Sequence, residues 1–275
     1  MLSMDQWDDF VRARYQPDRK PEEFRQHTDD APPVVKDFYH QNHAKQTLEF
    51  VLSKQAEYLP LRKTQLSVWD AFDALNTLVD DSDPDTDLSQ TDHAVQTAES
   101  ARRDGRPRWF VLTALLHDAG KMLSFFGEPQ WAVVGDTFPV GCAWSDKIVY
   151  ASYFRDNPDS TRPGLCTPNG VYREGCGLRS VNMSWGHDEY IYHVLKPFLP
   201  EEAQYMLRYH SFYPWHQEGA YQHLTDAHDR EMLYWVREFN QYDLYSKGDG
   251  KPDLQALMPY YRDLVQEFLP DRIQW

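Results

Sequence analysis

The run LLHDAGK, residues 115–121, sets a histidine, an aspartate and a lysine within an apolar stretch. Phe110, Val111, Leu112, Leu115 and Leu116 lead into it and Met122, Leu123, Phe125 and Phe126 follow, so the predicted helix is packed on nearly every side. Unpaired charge in such a place costs several kcal/mol even after relaxation, and a metal ion is the strongest available partner. Other apolar faces carry ionisable groups too. Val236, Phe239 and Asp243 recur at helical spacing, so the Asp243 carboxylate points where the core is. His210 lies near the inner end of its helix, His187 opens another, and His93 begins the one after an acidic loop. Taken singly, a buried histidine is more often a hydrogen-bonded core residue. Together, His93, His117, Asp118, His187, His210 and Asp243 offer four imidazoles and two carboxylates from five predicted helices. That donor set suits first-row transition metals. Calcium and magnesium want oxygen alone, and structural zinc favours thiolates. Six protein ligands exceed what one catalytic ion needs, so two ions bridged by Asp118 are expected.

The elements that must position these groups are mainly helical. Segments 34–58, 67–79, 89–104, 107–126, 187–197, 201–211, 226–246 and 253–268 show apolar residues at spacings of three and four. Ser89 followed by Asp92 reads as a capping box, and Pro200 before Glu201 and Glu202 as a helix entry. Between 127 and 182 the periodicity is lost; WAVVGDTFPVGC is read as a short strand or two, and 156–180 as a long loop of the kind that carries function. The expected fold is a single mainly α core over 34–275 with a few short strands in an irregular insert, preceded by an arm or lid over 1–33.

Composition narrows the partners. At 275 residues with 41% hydrophobic and 15% aromatic content, the chain can bury a large core. A net charge of −15 argues against nucleic acid or an anionic membrane surface and favours a neutral or cationic small ligand. No apolar leader or membrane span appears, and a cytoplasmic location is expected. Cys142, Cys166 and Cys176 form no CxxC pair and read as structural thiols in a reducing compartment. The acidic loop DDSDPDTD, residues 80–87, lacks the glycine and glutamate of a calcium loop and reads as a solvated turn.

The order His, His-Asp, Asp on a helical core resembles the HD-domain superfamily. The detail resembles the myo-inositol oxygenase family, through FRQHT (24–28), LVDDSDPD (78–85), HAVQTAE (93–99), LLHDAGK (115–121), GEPQWAVVGDTFPVGC (127–142), NMSWGHDEY (182–190), YHSFYPWH (209–216) and WVREFNQYDLY (235–245). The resemblance implies two iron ions, Fe(II)/Fe(III) in the working state, that use O2 to open the ring of myo-inositol to D-glucuronate, with the six residues above as ligands. Five positive charges facing two carboxylates and a hydroxide leave such a centre net positive, so a coordinated hydroxyl is acidified and a neutral polyol can bind as an alkoxide. Lys121, three residues beyond Asp118, is placed to hydrogen-bond a substrate oxygen. By resemblance, Asp80, Asp81 and Ser82 line the polyol pocket, with Asp81 standing where the family carries Glu. Gly135 and Asp136 match its pocket turn, His210 and Ser211 contribute to it, and Arg25 with Tyr39 resembles a lid that keeps reactive oxygen from water. A monomer is expected.

The chief rival is a metal-dependent HD-domain phosphohydrolase, against which the acidic surroundings argue, since phosphate sites want basic residues. A scaffold protein with a purely structural metal would leave open coordination positions without purpose.

Overall fold

The structure is a computed structural model that describes residues 33–77, 89–245 and 252–275. Arg25, Asp80, Asp81, Ser82 and all of the expected arm but its last residue lie outside the described residues. Helix α1 (Pro33–Lys45) and α2 (Leu48–Tyr58) come first, where one continuous helix over 34–58 was expected. The break falls at Gln46 and Thr47, because the Thr47 side chain accepts from the Phe50 N–H and starts a new helix. Strand β1 (Gln65–Leu66) and α3 (Val68–Leu75) follow, α3 opening on a Ser67–Asp70 capping box.

Helix α4 (Gln90–Arg103) begins on the expected capping box, Ser89 with Asp92. It packs along α5 (Arg108–Leu116), which is buried from Phe110 onward. Here the expectation of one helix over 107–126 is corrected. The α-helix ends at Leu116, and His117–Phe126 continues as a 3₁₀-helix that stops at Gly127 in the left-handed conformation. Its tighter winding carries the ionisable side chains of LLHDAGK off the straight path of α5.

Helix α6 (His187–Leu195) packs on that 3₁₀ segment and on α7 (Glu201–Tyr209), which enters through Pro200 as expected. After the one-turn α8 (Tyr213–His216), α9 (Ala227–Tyr245) lies across α7 and α4, and α10 (Leu254–Phe268) leads to β2 (Ile273–Gln274). β2 pairs antiparallel with β1, Gln65 opposite Gln274 and Leu66 opposite Ile273. The fold is thus mainly α. The insert carries short 3₁₀ turns and, among the described residues, one isolated bridge between Pro139 and Met183 in place of strands. It is nevertheless packed: Val133, Val134, Phe138, Val140 and Cys142 are buried, and α1 ties it down, the Asn42 amide donating to Trp131 O at 2.8 Å and His43 O accepting from the Asn157 amide at 2.7 Å. All three cysteines are free. Among the described residues no helix is long and apolar enough to cross a membrane.

Candidate metal centre

Each of the six candidate ligands sits at or near an end of its helix. His93 is in the first turn of α4, His117 and Asp118 stand where α5 gives way to the 3₁₀ segment, His187 is the first residue of α6, His210 caps α7, and Asp243 lies in the last turn of α9. The helix ends therefore converge, and the structure brings all six side chains together.

Two halves share Asp118. On one side, His93 Nε2 lies 3.2 Å from Asp243 Oδ1 and 3.7 Å from Asp118 Oδ2, while His117 Nε2 lies 3.3 and 3.5 Å from the same atoms. On the other, His187 Nε2 is 3.4 Å and His210 Nε2 4.0 Å from Asp118 Oδ1. The two oxygens of one carboxylate thus face opposite pairs of imidazoles. Two ligands bound at about 2.1 Å to one ion, at a right angle, stand about 3 Å apart, so these separations are those of donors grouped around a common cation. His93, His117 and Asp118 form one such group and Asp118, His187 and His210 another, the donor atoms of each lying within 4.8 Å of one another.

Hydrogen bonding prepares the imidazoles for this role. His117 Nδ1 donates to Ala114 O at 2.8 Å, His187 Nδ1 to Val133 O at 2.8 Å, and His210 Nδ1 to Leu207 O at 3.0 Å. A carbonyl can only accept, so Nδ1 carries a proton and Nε2 is the nitrogen left facing inward, available to a cation. Nε2 of His117 and of His210 are buried without a hydrogen-bond partner, an arrangement that is costly unless a cation or proton fills it. Phe239 closes the apolar side, its ring centroid 5.3 Å from that of His117 and 5.9 Å from that of His210.

The charges point the same way. Burial opposes ionisation of Asp118, but Lys121 and the surrounding imidazoles outweigh it and hold the carboxyl well below its usual range. Asp243 is likewise held low, against burial, by His117 and His93. Burial also disfavours charge on His117, yet Asp118 and Asp243 push it up to about 9, whereas burial prevails at His210 and lowers it. Carboxylates that stay ionised at this depth attract cations, and the donor set fits a pair of first-row transition-metal ions.

The sequence profile of the myo-inositol oxygenase family matches residues 33–275. The chain belongs to that family. It is 48% identical over 249 residues to the probable inositol oxygenase of Oryza sativa subsp. japonica, covering 88% of this chain and 81% of that protein. The inositol oxygenase of Danio rerio is 48% identical over 238 residues, 85% of this chain and 86% of its own. That of Homo sapiens is 48% identical over 274 residues, 95% and 96% respectively.

The structure also describes Lys121, Gly135, Asp136 and Ser211 among the polyol-contact candidates. Lys121 is buried and donates from Nζ to Asp118 Oδ2 at 2.9 Å and to Gln90 Oε1 at 3.2 Å. Gly135 has φ +93°, and a Cβ there would meet the Phe38 ring at 2.9 Å, so both conformation and space call for glycine. Asp136 is buried and accepts from the Tyr39 hydroxyl at 3.5 Å. Tyr39 itself is fully buried in α1, bringing that helix to the 135–136 turn. Ser211 follows His210 directly. One residue escaped the sequence reading: Asp188, buried beside His187, whose Oδ1 lies 2.8 Å from His187 Nε2 and 3.3 Å from His210 Nε2. The signal available for it was a second His-Asp pair, in GHDEY.

Proposed function

We propose that the protein is a di-iron oxygenase that uses O2 to cleave the ring of myo-inositol to D-glucuronate. Family membership supports the reaction class, and the observation that carries the two-ion reading is Asp118, with Oδ2 toward His93 and His117 and Oδ1 toward His187 and His210. His93, His117 and Asp243 would hold one iron, His187 and His210 the other, and Asp118 both. Iron bound there, working as Fe(II)/Fe(III) with O2 as co-substrate, would supply the electron transfer to oxygen and acidify a bound hydroxyl.

The chain's own groups do the rest. Lys121 Nζ, held beside the shared carboxylate by Asp118 and Gln90, would hydrogen-bond a ring oxygen of the polyol and hold it against the cluster. Asp136 offers a carboxylate, and the hydroxyl oxygen of Ser211 an acceptor, to neighbouring hydroxyls, while Gly135 lets the backbone approach closely. Asp80, Asp81 and Ser82 complete the polyol contacts, and Arg25 on the N-terminal arm over 1–33 closes the site against water. Burial of the cluster apart from the partly exposed His93 serves the same exclusion. We further read the protein as a cytoplasmic monomer that meets neither nucleic acid nor membrane, in keeping with its net charge of −15.

The test is anaerobic reconstitution with iron followed by myo-inositol and air. D-glucuronate should appear with matching O2 uptake, and no phosphate should be released from phosphomonoesters. Iron-loaded protein that consumes no O2 with inositol would refute the reading, and phosphate release would replace it with the phosphohydrolase.

A further inference from the structure

Three chain segments that are remote in sequence meet at one carboxylate. Asp188 Oδ2 accepts from the Ser211 backbone N–H at 3.0 Å and from the Thr137 hydroxyl at 3.1 Å, and Oδ1 accepts from the Ser211 hydroxyl at 3.1 Å. The backbone repeats the connection, Thr137 N–H donating to Ser211 O at 2.9 Å and His187 N–H to Val133 O at 2.8 Å. Segment 133–137, the start of α6 and the end of α7 are thereby joined. Asp188 is 1% exposed, so its anchoring donors are not exchanged for water.

Those three donors leave Oδ1 aimed at the two imidazole nitrogens of one half of the centre, 2.8 Å from His187 Nε2 and 3.3 Å from His210 Nε2. The opposite half has a carboxylate of its own in Asp243, at 3.2 and 3.3 Å from His93 and His117. The resulting pattern is even: two imidazoles and one private carboxylate on each side of the shared Asp118. A fixed negative charge so close to both nitrogens favours a cation between them and disfavours rotation of either ring.

We propose that Asp188 is the positioning residue of the His187–His210 half: pinned by Thr137 and Ser211, its carboxylate sets the cation affinity of that half and locks the 135–137 turn and Ser211 at a fixed distance from it. The proposal rests on the two-ion reading above. It differs from that reading in what it requires, since it concerns metal affinity and not turnover.

The experiment is an anaerobic calorimetric titration of the metal-free full-length chain with Fe(II) alone. His210→Ala identifies the binding step that belongs to the His187–His210 half by abolishing it. Asp188→Asn should then weaken that step at least tenfold and leave the other within about twofold, as loss of an outer-sphere anchor does. Thr137→Val and Ser211→Ala, which each remove one restraint and keep the carboxylate, should weaken the same step by about threefold. An unmoved step in Asp188→Asn overturns the proposal, as does equal weakening of both steps, which would mark a general structural role. If Asp188→Asn fails to fold, the other two variants decide, and wild-type affinity in both overturns it. A wild-type chain that binds two irons and makes no D-glucuronate would sink the proposed function while leaving this result standing.

Discussion

Gly120 lies against the backbone of His187. A Cβ built on Gly120 would stand 2.1 Å from the His187 carbonyl oxygen and 2.7 Å from its carbon, closer than any real contact. The 3₁₀ segment bearing His117 and Asp118 and the first turn of α6 bearing His187 approach as closely as backbone allows. That closeness lets a single Asp118 reach both pairs of imidazoles. Gly120→Ala should push α6 away and destabilise the fold by roughly 1–3 kcal/mol. Thermal melting should show a fall of several degrees, and iron titration a loss confined to the His187–His210 half. A variant with unchanged melting and full iron affinity would show that the two segments can separate freely.

Asp243 and His117 were legible because each ends an apolar stripe: Asp243 follows Val236 and Phe239 at helical spacing, and His117 follows a run of buried residues. The Ser89–Asp92 box was legible because capping is local chemistry. The change from α to 3₁₀ at His117 was not, since both states bury LLHDAGK on every side and the choice is made by packing between Gly120 and α6. Asp188 was passed over because an acid in the first turn of a helix is ordinary, favoured by the helix dipole with or without a role. Nothing in the 127–182 insert announces its packing, because irregular backbone has no period, and the pairing of β1 with β2 joins two-residue segments from opposite ends of the core.

Lys121→Ala separates holding iron from using it. The ammonium sits 2.9 Å from Asp118 Oδ2 and its removal takes a positive charge from beside the cluster, so iron content should stay at the wild-type level. Turnover of myo-inositol should fall by about 100-fold, the usual cost of one buried donor aimed at a reacting oxygen. Iron analysis and product assay on the same preparation check both parts. Undiminished turnover would remove Lys121 from the site.

His43 should set part of the acid limb of stability. It is fully buried, stacked on Phe154 at 4.2 Å, with Nε2 2.6 Å from Val149 O. Burial lowers it from 6.5 to about 4, against the opposing pull of the Val149 carbonyl and Asp136. Between those values the unfolded chain binds the proton and the folded chain does not. Its contribution is therefore complete above about pH 6.5 and declines as pH falls toward 4, by about 3 kcal/mol in all. In His43→Gln, chemical denaturation at a series of pH values should show a shallower decline across that window. Parallel curves for the two proteins would place the titration elsewhere.

Removing metal should destabilise the protein, because the centre gathers three buried carboxylates around four imidazoles with Lys121 as the one ammonium paired to them among the described residues. Asp118, Asp188 and Asp243 are all at most 9% exposed, and Nε2 of His117 and His210 find no hydrogen-bond donor. Protons on the imidazoles offset some of that cost, as the upward shift of His117 to about 9 indicates, but burial resists charging His210. A cation that binds only the folded chain adds RT ln(1 + [L]/Kd), about 3–4 kcal/mol at 100 to 1,000 times Kd. Chelation should therefore lower the melting temperature, and Fe(II) or Zn(II) should each restore it, since affinity follows donor type more than identity. Only iron should restore turnover, because zinc has no redox chemistry to offer O2. Asp118→Ala, which takes the shared carboxylate from both halves, should melt at one temperature with or without metal. If that variant is still stabilised by iron as much as the parent, the ion is held somewhere other than between these four histidines.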